Sequence, residues 1–135
     1  MGKLDGKVAV ITGGACGIGS GLEKVYVKEG AMVAIVDLNV ETGEAMVKEL
    51  QEFQPESTFI QAHLTDRAKL KDIIATVVNK YGKLNILVNN THASRQVLLA
   101  DATQADMDFS FNTGSYPTFY LMQAAYPHLK ESLRG

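Results

Sequence analysis

Short apolar runs alternate along this chain with longer stretches of three- and four-residue periodicity. Val8-Ala9-Val10-Ile11 is continuous, β-rich and unbroken by polar residues, the pattern of a strand buried on both faces. Ile18, Leu22, Val25 and Tyr26 follow at i, i+4, i+7 and i+8 and predict an amphipathic helix, with Gly30 as its C-cap. Met32 to Val36 predicts a second buried strand, closing on Asp37. Val40, Gly43, Val47 and Leu50 trace one face of a second helix that reaches about Glu52. Gln54-Pro55-Glu56-Ser57 reads as a turn and Thr58-Phe59-Ile60 as a third strand. A third helix is the clearest element: Leu70, Ile73, Ile74, Val77, Val78 and Tyr81 recur at helical spacing. Thr65 and Asp66 are its N-cap candidates, and Gly82 stops it. Leu84 to Val88 predicts the fourth strand; residues 93–108 are polar, a surface loop with room for one helical turn. Phe119, Met122, Tyr126, Leu129 and Leu133 at near-heptad spacing predict a long last helix.

The order βαβαβαβ plus a helix implies a parallel α/β sheet of about four strands, with right-handed crossovers and helices on both faces. No repeat or linker breaks it, so the 135 residues read as one domain. Apolar residues make up 46% and charged ones 21%, an ordinary globular balance. A net charge of −2 without a basic cluster implies neither nucleic acid nor an anionic membrane as partner. The apolar runs are too short to span a bilayer, and the N-terminus is no signal peptide. A single cysteine, Cys16, excludes an internal disulfide and fits a reducing cytoplasm.

The chemistry begins where the first strand meets the first helix. Gly13, Gly17 and Gly19 form Gly-x-x-x-Gly-x-Gly between them, the context of a nucleotide-binding turn. Gly13 permits the sharp exit, Gly17 lets backbone approach a pyrophosphate, and Gly19 lets the helix pack tightly on the sheet. The helix start offers unpaired N–H groups and a positive dipole end to that phosphate. Cys16, within the loop, reads as a small residue tolerated beside the phosphates. Asp37 ends the second strand 18 positions after Gly19, where a carboxylate meets the adenosine ribose hydroxyls of a bound dinucleotide. That charge repels a 2′-phosphate, and neither the glycine loop nor Leu38 supplies a cation to attract one. The pattern selects NAD over NADP.

Thr12-Gly13-Gly14-Ala15-Cys16-Gly17-Ile18-Gly19, Asp37, Asn89-Asn90 and Asn112 together resemble the short-chain dehydrogenase/reductase family in its NAD-using form, over the whole chain. The resemblance implies a Rossmann-like, doubly wound sheet and reversible oxidation of a secondary alcohol to a ketone. It implies cofactor contacts at Gly13, Cys16, Gly17, Ile18, Gly19, Asp37, Leu38, His63, Leu64, Asn89 and Thr91, with Asn112 in the catalytic tetrad and no metal.

Three departures accompany the resemblance. His63 stands where the family usually has Asp against the adenine amino group. The family's Asn-Asn-Ala-Gly is here Asn89-Asn90-Thr91-His92, which puts side chains beside the nicotinamide half. The family's Ser and Tyr-x-x-x-Lys lie beyond the segment matching the last helix, so the 135 residues read as an incomplete, N-terminal nucleotide-binding portion without turnover. Tyr126 and Lys130 match Tyr-x-x-x-Lys but sit on a packing helix, which makes Tyr126 a core or interface residue. The alternatives are a non-catalytic NAD-binding or scaffold module, or a fragment that has lost nucleotide binding. A homo-oligomer is expected, because the fourth strand's edge and the last helix are left partly uncovered.

Overall fold

The computed structural model describes residues 2–133. Four parallel strands, β1 (Val8–Thr12), β2 (Met32–Asp37), β3 (Thr58–Gln61) and β4 (Ile86–Val88), pair in the order β3-β2-β1-β4. Val10 at the centre of β1 stands opposite Ala34 of β2 and Leu87 of β4. The strand order reverses direction between β1 and β4, and the crevice at the carboxyl ends there is where open α/β sheets take ligands.

Helices α1 (Gly17–Lys28), α2 (Val40–Gln51) and α3 (Arg67–Tyr81) cover the sheet with α5 (Tyr116–Ser132), whereas α4 (Gln104–Ser110) buries no residue. A π turn at Phe111–Ser115 joins α4 to α5. Alternation along the strands splits the core into two layers. Ala9, Ile11, Val33 and Ile35 pack with Val27, Val47 and Leu50 under α1 and α2. Val8, Val10, Ala34 and Val36 pack with Leu70, Ile74, Val77 and Leu121 under α3 and α5. Both faces of β1 and β2 are thus buried, as their unbroken apolar runs require.

Helix starts follow their capping chemistry. The Asp66 side chain accepts from the N–H groups of Ala68 and Lys69, so Asp66 and not Thr65 caps α3; such a cap contributes about 1 kcal/mol. Gly82 ends that helix at φ +74°, a left-handed conformation that disfavours any side chain. Gly30, just past α1, likewise has φ +92°. Helix α4 occupies the end of the predicted loop and is longer than the single turn expected there. Its signal is Thr103-x-x-Asp106, a capping box in which each side chain accepts from the other residue's backbone N–H.

Two helices bury a face rotated from the predicted stripe. On α1 the buried positions are Gly19, Glu23 and Val27, with Leu22 and Tyr26 of the predicted stripe half-buried against the same core, while Ile18 and Val25 are exposed. The reason is Gly19: without a side chain it draws the helix onto the glycine turn and brings its own stripe inward. On α5 the buried residues are Pro117, Leu121 and Ala125, and Phe119, Met122 and Tyr126 point outward. Of the heptad-like stripe only Leu129 packs against the core; Phe119, Met122, Tyr126 and Leu133 lie on the outer face, so Tyr126 is no core residue.

Candidate functional site

The turn after β1 is stitched to both neighbouring strands. The Gly13 N–H donates to the Val36 carbonyl on β2 at 2.8 Å. On the other side, the Thr12 hydroxyl accepts from the N–H groups of Asn90 (3.0 Å) and Thr91 (3.2 Å). The Asn90 amide donates to the Gly13 carbonyl at 3.1 Å. Gly13 itself sits at φ +65°, which favours glycine. Asn90 therefore has a structural role the sequence did not reveal: it ties the end of β4 to the glycine loop.

Asp37 performs a second unforeseen task. Its Oδ2 accepts from the Ala15 N–H and its Oδ1 from the Asn39 N–H, each at 3.1 Å, so it anchors the loop while keeping lone pairs free. Beyond it, Gly17 has φ +61° and nothing within 4 Å of where a side chain would stand. Cys16 precedes α1 in extended backbone without a side-chain cap, whereas Asn39, Asp66 and Thr103 cap α2, α3 and α4. The first N–H groups of α1 thus remain available to an anion.

A cavity of about 350 Å³ opens at this turn. Gly13, Val36 and Leu64 line it, and Asp37, Leu38 and His63 form one rim. Ala62, Thr65, Thr91, Ala93, Phe109 and Thr113 complete its wall. No Lys or Arg is among the lining residues. The His63 Nδ1 and the Thr65 hydroxyl share a 2.6 Å hydrogen bond that orients the imidazole. Phe109 and Thr113 come from the stretch around α4; the Thr113 hydroxyl donates to the Ala93 carbonyl at 2.7 Å and fixes that wall. The helical capping box was the only sequence signal for them.

Of the predicted contacts, Gly13, Asp37, Leu38, His63, Leu64 and Thr91 line the cavity together. Cys16, Gly17 and Ile18 are exposed on the loop above, with Ile18 78% exposed. Gly19 is buried under the loop. Asn89 does not line the cavity, but its Oδ1, like the Thr91 hydroxyl, is buried without a hydrogen-bond partner. His92 lies against Gly114 of the π turn and, with Asn89, Asn90 and Thr91, lines a separate hollow beside this cavity. Asn112 is exposed and lines a separate hollow with Leu64, Arg67 and Tyr120; it is not brought to the cavity. Tyr126 and Lys130 lie on α5, and neither lines it. Among the described residues no cluster of three or more potential metal ligands exists.

Beneath the loop lies one group that no sequence pattern indicated. Glu23 on α1 is fully buried, and neither carboxylate oxygen has a partner. Its carboxyl fills the volume that a side chain on Gly14 would need. Burial, and then the Asp37 charge, push its pKa up to about 8.

Residues 7–135 match the sequence model of the family described as short chain dehydrogenase. The chain is 32% identical over 133 residues to a 3-oxoacyl-[acyl-carrier-protein] reductase of Thermotoga maritima, covering 98% of this chain and 54% of the relative. It is 42% identical over 95 residues to the 15-hydroxyprostaglandin dehydrogenase [NAD(+)] of Rattus norvegicus, covering 69% and 36%. A solved 7α-hydroxysteroid dehydrogenase, complexed with NADH and 7-oxo glycochenodeoxycholic acid, superimposes with a TM-score of 0.89 at 28% identity, over 96% of this chain and 50% of that one. The chain spans about half the length of the first two of these curated relatives or less, and half of the solved one. No helix among the described residues is long and apolar enough to cross a membrane. With its strand order, its glycine turn and a family match that begins at Lys7, the chain belongs to the short chain dehydrogenase family.

Proposed function

We propose that these residues form the nucleotide-binding portion of an NAD(H)-dependent oxidoreductase that interconverts a secondary alcohol and a ketone. The observation that carries this reading is Asp37 on the rim of the cavity, beside the uncapped start of α1, with no cation among the lining residues. The cofactor fits what is there. The α1 N-terminus and Gly17 would hold the pyrophosphate, and Asp37 the adenosine ribose. Leu38, Leu64 and His63 would flank the adenine, and Thr91 would stand on the wall toward the far half. Bound there, the nicotinamide supplies hydride acceptance or donation. The chain's own residues bind and orient it.

No general acid or base for that transfer is assigned to the cavity. The family resemblance puts the Ser and the Tyr-x-x-x-Lys pair on elements that follow the segment matching α5, and Asn112, Tyr126 and Lys130 do not line the cavity. The 135-residue polypeptide is therefore expected to bind NAD in calorimetric titration and to show no alcohol-dependent absorbance of reduced nicotinamide. Turnover that disappears in Tyr126→Phe would overturn this assignment. A non-catalytic NAD-binding module remains the second reading, favoured by the same placement of Asn112. A cytoplasmic setting accords with both.

The outer face of α5 supports self-association. Phe119, Met122 and Tyr126 form one stripe, all more than half exposed, and among the described residues β4 pairs with β1 alone. Exposed apolar surface of this extent marks an interface, and an open strand edge templates pairing. Sedimentation at micromolar concentration is expected to show a dimer or larger species that Met122→Glu shifts to monomer. A monomeric wild type would remove the proposal.

A further inference from the structure

From the closed position of Glu23 beneath Gly14, we infer that this side chain is a buried proton-binding group that sets the pH range in which the glycine loop stays packed. The geometry leaves the carboxyl no other state at neutral pH. It is fully buried, both oxygens lack partners, and Gly14 and Ile35 are packed against it. An unpaired buried carboxylate is strongly disfavoured, whereas the neutral acid is tolerated.

No cation is positioned to change that. β1 carries no charged residue, and β2 carries only Asp37, of like sign. The glycine loop, residues 13–16, has no titratable side chain other than Cys16. On α1, Lys24 pairs with Glu49 of α2 at 2.8 Å and Lys28 lies over the Phe53 ring. The remaining charged residues of α2, Glu41, Glu44 and Lys48, are exposed.

Ionisation therefore has to open the loop. To reach water the carboxylate must displace Gly14, the residue joined through Ala15 to the Asp37 carboxylate. The neutral form belongs to the packed loop and the anion to a loosened one. Resting on the dinucleotide reading above, the consequence for binding is that NAD affinity declines as pH rises past about 8.

The sign is fixed by linkage. The folded chain retains a proton between about pH 4.5 and 8 that the unfolded chain releases, so stability falls as pH rises through that window and is level outside it. Denaturant titrations of wild type and Glu23→Gln across pH 5–9 test this. Relative to Glu23→Gln, the wild-type folding constant is expected to fall by up to tenfold per pH unit within the window. Parallel profiles overturn the inference. Should Glu23→Gln not fold, infrared spectroscopy of the wild type decides: a protonated-carboxyl band at pH 6–7 that vanishes by pH 9 supports the assignment, and its absence at pH 6 overturns it. NAD titrations separate the two claims. A Glu23-dependent profile without NAD binding at any pH retires the dinucleotide reading alone, whereas tight NAD binding with parallel profiles retires Glu23 alone.

Discussion

Gly19→Ala is expected to destabilise the fold by about 3 kcal/mol and to abolish measurable dinucleotide binding. A methyl group there would stand 2.5 Å from the Gly13 carbonyl oxygen, 2.7 Å from the Asn90 amide nitrogen and 2.9 Å from the Gly14 Cα. Two of these are backbone atoms of the glycine turn, and the third is the amide that bonds to it. No rotamer change relieves such contacts, so α1 must lift from the turn. That movement breaks the Asn90 tie and displaces the N–H groups proposed to meet the phosphates. Gly21→Ala is the matched control. It lies in the same helix with nothing within 4 Å of its new methyl, and Ala exceeds Gly in helix propensity by about 1 kcal/mol. Denaturant midpoints are expected to move in opposite directions for the two variants. Equal midpoints would show that Gly19 is not the contact that seats the helix.

Asp37→Ala is expected to weaken NAD binding about ten- to a hundredfold. The loss is that of one charge-assisted hydrogen bond, about 1.5–3 kcal/mol. The structure adds a second contribution, because the same carboxylate accepts from the Ala15 N–H and holds the loop. Asp37→Asn separates the two: it keeps a carbonyl acceptor for Ala15 and discards the charge. Wild type is expected to prefer NAD, and both variants to narrow the gap with NADP, since the repulsion of a 2′-phosphate disappears. Equal calorimetric affinities for NAD and NADP in wild type would sink the ribose assignment.

The alternating pattern was legible where burial is unambiguous. Val8–Thr12 and Met32–Asp37 are covered on both faces, and only a continuous apolar run satisfies that environment. Helix α3 was equally plain, because Leu70, Ile73, Ile74 and Val77 all face one sheet surface. The glycine turn and the acidic end of β2 were legible as well, since each depends on backbone geometry next to a strand end. Six of the proposed contact residues line one cavity.

Other features required the assembled molecule. Helical periodicity offers α1 and α5 two neighbouring stripes each, and the choice belongs to the partner surface. Gly19 fixes it for α1, whereas on α5 Leu121 and Ala125, with Leu129 beside them, pack into the layer shared with α3, leaving Phe119, Met122 and Tyr126 outside. Asn112 is likewise placed by the π turn and not by its spacing, and Phe109 reaches the cavity only through the fold of α4. Glu23 is the extreme case, a carboxyl at a position that sequence alone assigns to solvent. The sequence by itself determined the succession of strands and helices, the glycine turn and the acidic strand end, because these rest on local patterning and backbone chemistry. Tertiary structure alone decided which helix faces are buried and which acid holds a proton, because burial and desolvation depend on atoms brought together from distant parts of the chain.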